Sequence, residues 1–412
     1  MQPVNHAIGS KEDLLNHFGS SKQLEVCNLQ QIKYLLEMNV PPEIWKDASN
    51  RNLLSFSQQF EQRTKKFGIK FKNIEHIYLI SFLTNLTELN LQNNKISDIS
   101  SISKLKTLNK LYLNGNCIED ISALQSLPDL THLNLQVNQI TSYTLALPNL
   151  IELELGYNKL QDKSGLQHSP KLETLDQYQT QITDLHTIPP QLFGLKKLYL
   201  SQNNITEISY LSNFIDLQYL YLNDNKQLKN IGPLKFCTQL TELSISETSI
   251  SNIWSLQFMK NLKTLYMTYV QVIELHPLQN LHKLEYISAP YSSIIDLSPL
   301  SKLTQLNSLD FSYSQITNAE TLKHHQNFSK YDFSNQKVST TDELNFYSKI
   351  LSVHNSQKQI RKIQNKNRIS KFKESITHQR EYIKLQINEQ IRVINMKIEL
   401  WAQFMQNSDA DQ

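Results

Sequence analysis

The chain has 412 residues and a formal net charge of +3 at pH 7, so no strong global field attracts it to nucleic acid or to a membrane surface. No run reaches the roughly 18 apolar residues that a membrane span needs, and the first residues form no apolar signal segment. The three cysteines, Cys27, Cys117 and Cys237, do not cluster. We therefore expect a cytoplasmic protein in a reducing setting, with the nucleus as an alternative.

Residues 1–60 carry helical patterns. Ser10 precedes Asp13 by three residues, which favours a helix start, and Pro41 ends a second apolar run. A third run begins near Glu43. We interpret residues 1–60 as a helical cap that covers the apolar end of the region that follows.

Residues 61–338 contain one apolar pattern that recurs every 22 residues, with slips of one or two. One copy consists of Leu105, Leu108, Leu111, Leu113, Ile118, Ile121 and Leu124. A fixed period in this range predicts a solenoid, in which each coil buries its apolar side only against its neighbours. This pattern resembles the leucine-rich repeat family in its 22-residue class, known from a protein phosphatase 1 regulatory subunit and from bacterial internalins.

The centre of each repeat alternates apolar and polar residues, as in Leu111-Tyr112-Leu113. Such alternation predicts a strand with one buried face. We expect about twelve parallel strands, spaced about 4.8 Å apart, in a concave sheet about 50 Å long. The fold class predicted is an α/β solenoid: a curved leucine-rich repeat array with a parallel concave sheet, helical ends, and 3₁₀ or extended outer segments.

An asparagine follows most strands, at the position where the chain turns inward. Its buried amide would satisfy main-chain groups that the turn leaves unpaired. From residue 237 onward the position holds Thr248, Val270, Ser292 and Ser314 instead, and we expect looser or locally distorted turns there. Acidic residues precede the outer segments, and we expect them to cap the outer turns. They are Asp98, Asp120, Asp184, Glu207 and Asp296.

Tyrosine is concentrated at the positions that flank the buried leucines. Together with serine and asparagine, this composition resembles an antibody paratope, whereas charges are sparse and of both signs. We therefore predict that a protein partner binds the concave face, mainly in its carboxy-terminal half. The predicted binding residues are Tyr112, Tyr157, Tyr199, Tyr219, Tyr221, Tyr266, Tyr269, Tyr286, Tyr291 and Tyr313. The alternative is that tyrosine occurs here because it favours strands.

Residues 339–412 contain no glycine or proline. Thr340 and Glu343 fit a capping box that starts a helix closing the last repeat. A long amphipathic stripe runs from Ile376 to Met405, which predicts a helix that packs on the solenoid, forms a coiled coil with a copy of itself, or binds another protein.

A basic run within this segment resembles the IQ motif, which implies binding of calmodulin or a related light chain. The matching residues are Ile363, Gln364, Arg368, Lys373 and Ile376, and Ile369 stands where a glycine is usual. The alternative is a solvated basic helix, and a nuclear import signal or a contact with anionic lipid is a weaker interpretation of the same charges.

No phosphate-binding glycine loop, metal-ligand spacing or catalytic triad is evident in the sequence. We therefore expect no cofactor, no metal and no enzymatic activity. The function predicted is a non-enzymatic scaffold for protein–protein interaction. The alternatives are a calmodulin-binding adaptor and, implied only by the family resemblance, a regulatory subunit of a protein phosphatase.

Overall fold

The computed structural model describes residues 65–322, 325 and 330–332. Within this part, thirteen three-residue strands form one parallel sheet in which strand order follows chain order. The strands are β1 Lys66–Gly68, β2 Glu88–Asn90, β3 Lys110–Tyr112, β4 His132–Asn134, β5 Glu152–Glu154, β6 Thr174–Asp176, β7 Lys197–Tyr199, β8 Tyr219–Tyr221, β9 Glu242–Ser244, β10 Thr264–Tyr266, β11 Tyr286–Ser288, β12 Ser308–Asp310 and β13 Lys330–Asp332.

Short 3₁₀ helices occupy most of the outer segments between strands, as the sequence predicts. They span Tyr78–Phe82, Ser100–Lys104, Ser122–Ser126, Ser164–His168, Leu185–Thr187, Pro190–Leu192, Ser209–Asn213, Gly232–Phe236, Trp254–Phe258, His276–Leu278, Ser298–Leu300 and Ala319–Leu322. The coil between β4 and β5 has no such helix, and it is also short, because His132 pairs with Glu152.

The leucine pattern sets the register of the sheet. Each strand pairs residue for residue with the next, as in Leu111 with Leu133, and these two side chains are at most 1 % exposed. The two residues that flank each central one lie on the opposite face. Every apolar residue of the copy from Leu105 to Leu124 is at most 5 % exposed, so the predicted core is confirmed. The predicted number of twelve strands is one too low.

The sheet includes both ends of the repeat array, and the partial last repeat supplies the strand beyond the predicted twelve. An eroded first repeat supplies β1, in which Phe67 pairs with Leu89. The partial last repeat supplies β13, in which Tyr331 pairs with Leu309. The predicted helical cap of residues 1–60 and the predicted helices of residues 339–412 lie outside the described residues.

The predicted amide ladder is present. In one typical coil, Nδ2 of Asn116 donates to the carbonyls of Leu91 and Leu113, and its Oδ1 accepts from the backbone N–H of Ile96 at 3.0 Å. Asn116 is 8 % exposed. Each such amide therefore ties its own coil to the preceding one.

The residue before the amide position has a left-handed backbone conformation in every coil from β2 to β12. Its φ is 56° at Asn93 and 53° at Tyr269, although Tyr269 precedes Val270 rather than an asparagine. The predicted local distortion of the later turns is therefore absent from this backbone angle. The backbone N–H of Tyr269 still donates to the next coil, to the carbonyl of Pro290 at 3.1 Å, and this main-chain ladder holds the turn without the amide.

The acidic residues before the outer segments act as predicted in four of the five cases. Asp98, Asp120, Asp184 and Asp296 each accept a hydrogen bond from the backbone N–H two residues further on, at 2.7–2.9 Å. These bonds lower the pKa of the Asp120 and Asp184 carboxyls. Glu207 instead accepts from the hydroxyl of Ser209.

Candidate functional site

Six of the ten predicted binding tyrosines lie within strands, at positions whose side chains leave the sheet on the face opposite the core. Tyr219 and Tyr286 are the first residues of their strands. The other four are third residues of their strands: Tyr112, Tyr199, Tyr221 and Tyr266. The parallel register therefore places all six on one face, which we call the concave face.

These rings form pairs rather than an even row. Tyr199 and Tyr221 stack with centroids 4.9 Å apart and an angle of 15° between the rings. Tyr266 and Tyr286 contact each other at 5.3 Å in a tilted arrangement. Tyr112 has asparagines as register neighbours on both sides, Asn90 and Asn134. Both of these ring pairs therefore lie between β7 and β11 of the concave face.

The other four predicted tyrosines do not lie in strands. They occupy the left-handed turn position that follows a strand: Tyr157, Tyr269, Tyr291 and Tyr313. The sequence pattern places them near the buried leucines but does not show that the chain has already left the strand. An aromatic residue with positive φ is uncommon, because its Cβ crowds the backbone.

Three of these turn tyrosines form a continuous stack. Tyr269 and Tyr291 lie 4.4 Å apart at 10°, and Tyr291 and Tyr313 lie 4.4 Å apart at 6°. Each is between 43 % and 53 % exposed. We call these three residues the tyrosine ladder. It is an exposed aromatic strip along the edge of the concave face.

Three carboxylates meet at the middle of the concave face. Glu154 accepts from Nδ2 of Asn134 at 2.6 Å, and Asp176 accepts from Nε2 of Gln136 at 2.6 Å. In the described part of the chain neither carboxylate pairs with a basic side chain. Burial, with the neighbouring Glu152 and Asp176, raises the pKa of Glu154 to about 8. The close approach of these carboxyl groups thus favours the protonated form of Glu154 at neutral pH.

The raised pKa of Glu154 predicts a pH-dependent effect of the substitution Glu154→Gln. The folded chain holds this proton more tightly than the unfolded chain, whose carboxyl titrates near its ordinary value of 4.5. Stability contributed by the protonated group is therefore lost as pH rises from that value toward 8. We expect Glu154→Gln to raise the melting temperature at pH 8.5 and to leave it unchanged at pH 4.

The matched control for this measurement is Glu119→Gln, at an exposed acid of an outer segment. It is expected to change the melting temperature little at either pH. An equal stabilisation by Glu154→Gln at both pH values would contradict the raised pKa of Glu154, because the stabilisation would then not depend on removing a charge.

One aromatic feature escapes the sequence analysis. Phe236, Trp254 and Phe258 are between 48 % and 54 % exposed on two neighbouring outer 3₁₀ helices. They line a shallow groove together with Pro233 and Ser255. The outer segments lack the strict alternation of the strands, so the sequence does not show which of their apolar residues face solvent.

Within the described residues, no group of three or more His, Cys, Asp or Glu side chains is arranged to hold a metal ion. In these residues no helix has both the length and the apolar character needed to cross a membrane. The predicted IQ-like residues, Ile363, Gln364, Arg368, Lys373 and Ile376, lie outside the described residues.

Comparisons with known proteins agree with this architecture. The family description "Leucine Rich repeats (2 copies)" matches residues 84–126, 106–147 and 194–236. An internalin from Listeria monocytogenes is 31 % identical, with a TM-score of 0.65, over 69 % of this chain and 84 % of that one. The chain belongs to the leucine-rich repeat family. No curated protein sequence matches it significantly.

Two further solved structures share the fold of this leucine-rich repeat protein. The functional domain of InlJ from Listeria monocytogenes is 24 % identical over 68 % of this chain and 65 % of that one, with a TM-score of 0.56. A leucine-rich repeat protein from Leptospira interrogans is 18 % identical over 68 % of this chain and 87 % of that one, with a TM-score of 0.54. None of these comparisons confirms the resemblance to a protein phosphatase 1 regulatory subunit.

Proposed function

We propose that this leucine-rich repeat protein is a non-enzymatic scaffold that binds a protein partner on its concave face. The observation that carries the proposal is the alignment of aromatic rings from successive coils, in which the Tyr199–Tyr221 and Tyr266–Tyr286 pairs share one face. Tyrosine supplies a large contact area at a low cost in side-chain entropy, and it is enriched at binding hot spots.

The rigidity of the array supports the same function. Every strand pairs with its neighbours, and the buried asparagines add bonds between coils up to Asn225. Rings held on such a frame need little reordering when a partner binds, so less binding free energy is lost. We expect little change in the backbone of residues 65–322 upon complex formation.

The tyrosine ladder extends this surface at its edge. Its three rings stack on one another, and each is between 43 % and 53 % exposed. Exposed tyrosines are enriched at binding hot spots. The ladder therefore supports a contact surface that includes both the face and its edge.

The test is a triple substitution, Tyr266, Tyr286 and Tyr291 to alanine, in the full chain. A partner is first isolated by affinity capture with the unmodified protein, and its affinity is then measured by calorimetry. Since hot-spot tyrosines commonly contribute more than 1 kcal/mol each, we expect the triple variant to bind at least about 100-fold more weakly.

The matched control replaces three aromatic residues of the outer groove, Phe236, Trp254 and Phe258, by alanine. This variant should bind the partner with nearly unchanged affinity. The proposal is wrong if the concave variant binds normally, and also if the outer variant is the one that loses the partner. Circular dichroism must show that both variants are folded.

The other expectations stay predictions. Calmodulin binding rests on residues 363–376, and a role as a phosphatase regulator rests on the family resemblance alone. Pull-downs with calmodulin and with a phosphatase catalytic subunit test them separately. A cytoplasmic location would fit Cys117 and Cys237, which are free thiols in this structure.

A further inference from the structure

One coil of the array has a polar residue at a core position that is apolar in the other coils. In the coils of β2 to β5 and β7 to β12, the second residue after the strand centre is fully buried and apolar: Leu91, Leu113, Leu135, Leu155, Leu200, Leu222, Ile245, Met267, Ala289 and Phe311. In the coil of β6 this position holds Gln177, which is also fully buried. Among the described residues, neither polar atom of its side-chain amide has a hydrogen-bond partner. A buried amide without partners destabilises the folded chain, because its bonds with water are lost and not replaced.

The same coil has a second polar residue in the core. Ser169 occupies the position of Leu147 and Leu192 in the two neighbouring coils, and all three residues are fully buried. The hydroxyl of Ser169 likewise has no hydrogen-bond partner in the described part of the chain. Because serine is smaller than leucine and polar, this position also contributes less apolar burial against the neighbouring coils.

The amide ladder ties the coil of β6 to one neighbour only. Asn203 of the following coil donates to the carbonyl of Gln177 at 2.8 Å and accepts from the backbone N–H groups of Thr180 and Ile182, both at 3.0 Å. Thr180 itself occupies the amide position of the β6 coil. Its hydroxyl donates within that coil, to the carbonyl of Gln177 at 2.9 Å. At this position of the described chain, no side-chain amide joins the coil of β6 to the coil of β5.

Two carboxyl groups lie opposite each other at the interface between the same two coils. Glu154 of β5 is the register partner of Asp176 of β6. Burial raises the pKa of both carboxyl groups. At neutral pH this lowers the stability of the folded chain relative to the unfolded chain, in which both groups ionise freely.

We propose that the interface between the coils of β5 and β6, which we call the β5–β6 seam, is the first internal interface at which the array opens. In a solenoid each coil contacts only its neighbours, so the weakest interface determines where the array separates. Opening at the seam divides residues 65–168 from residues 169–322. Main-chain pairing continues across the seam, where the N–H of Leu155 donates to the carbonyl of Asp176 at 2.8 Å. The seam is therefore closed in the folded chain, and its opening is a local unfolding event.

The seam lies outside the aromatic part of the concave face. The Tyr199–Tyr221 pair, the Tyr266–Tyr286 pair and the tyrosine ladder all follow it in the chain. Opening at the seam therefore leaves these ring contacts intact. The inference goes beyond the proposed function, and its test needs no binding partner.

The test is hydrogen exchange of the full chain in native buffer, followed by mass spectrometry of peptic fragments. The N–H groups of Leu155 and Tyr157 donate across the seam, and those of Leu200 and Gln202 donate across the interface between the coils of β7 and β8. We expect the protection factors of the first pair to be at least about tenfold lower, because a buried amide without partners costs at least about 1 kcal/mol.

The deciding variant is Gln177→Leu, which removes the unpartnered amide and places leucine at a core position. It should raise the protection of Leu155 and Tyr157 at least about tenfold. The matched control is Gln167→Leu, the same change at an exposed position of the 3₁₀ helix Ser164–His168 in the coil of β5. That control should change the protection less than about twofold.

Two results would overturn the proposal at the level of the unmodified chain and of the variant. In the first, the N–H groups at the seam are as well protected as those of Leu200 and Gln202. In the second, Gln177→Leu leaves their protection unchanged. An equal gain from Gln167→Leu would also refute it, because the effect would then not depend on the buried position.

Discussion

Replacing Asn225 by alanine is expected to lower the free energy of unfolding by about 3 kcal/mol, because three buried main-chain groups lose a partner. The side chain is fully buried. Its Nδ2 donates to the carbonyls of Leu200 and Leu222 at 3.1 and 2.8 Å, and its Oδ1 accepts from the N–H of Ile205 at 3.0 Å. Water cannot replace these bonds without opening the turn.

The measurement is urea denaturation of the full chain, followed by the circular dichroism of the repeat array. The control is Thr248→Ala at the equivalent position of the next coil, where the hydroxyl makes one bond, to the carbonyl of Ile245 at 2.7 Å. We expect a loss of about 1 kcal/mol there. Equal losses at Asn225 and Thr248 would show that the amide ladder has no special role.

Different contacts between neighbouring coils stabilise the carboxy-terminal part of the array. After Asn225 the amide position provides fewer bonds, and at Val270 it provides none from the side chain. In the same coils the tyrosine ladder adds ring contacts between Tyr269, Tyr291 and Tyr313 on the outside of the turn. Stacked aromatic pairs contribute about 0.5–1.5 kcal/mol each beyond the burial of their area. The ladder thus stabilises the coils that lack the amides, and it also presents the surface we propose for binding.

The placement of the strand tyrosines follows from the sequence because register is strongly constrained. A coil of fixed length closes only if each leucine lies beside its equivalent, so Tyr199, Tyr221 and Tyr266 must share one face. The same logic identifies the core, the outer 3₁₀ helices and the buried asparagines. These features depend on spacing alone, and spacing is visible in a sequence.

What spacing does not determine is how neighbouring side chains meet. Tyr221 stacks on Tyr199 but not on Tyr266, because the intervening position of β9 is Ser244. Tyr269 has a positive φ because the turn closes only in that conformation. Steric preference alone would predict that tyrosine avoids a positive φ. Site geometry thus required the structure.

Gly165→Ala is expected to destabilise the array by about 3 kcal/mol, at the upper end of the usual cost of overpacking. A Cβ at Gly165 would lie 2.6 Å from the backbone nitrogen of Leu145 and 2.7 Å from its carbonyl oxygen. The approach is close because the coil between β4 and β5 is short, with 20 residues from His132 to its partner Glu152. Backbone atoms in a closed coil cannot move singly to relieve such a contact.

The matched control is Gly194→Ala, where an added Cβ meets no atom within 4 Å. That substitution should be neutral or stabilising by up to about 1 kcal/mol, because alanine restricts the unfolded chain. Both variants are compared by urea denaturation of the full chain.

If the two alanines have the same effect, the short coil must be able to move away from its neighbour. The N–H of Gly165 donates to the carbonyl of Tyr143 at 2.9 Å, so that movement would break a bond between the coils. A large loss at Gly165 alone would show that these two coils are packed at their closest approach, and that the short repeat tolerates only glycine opposite it.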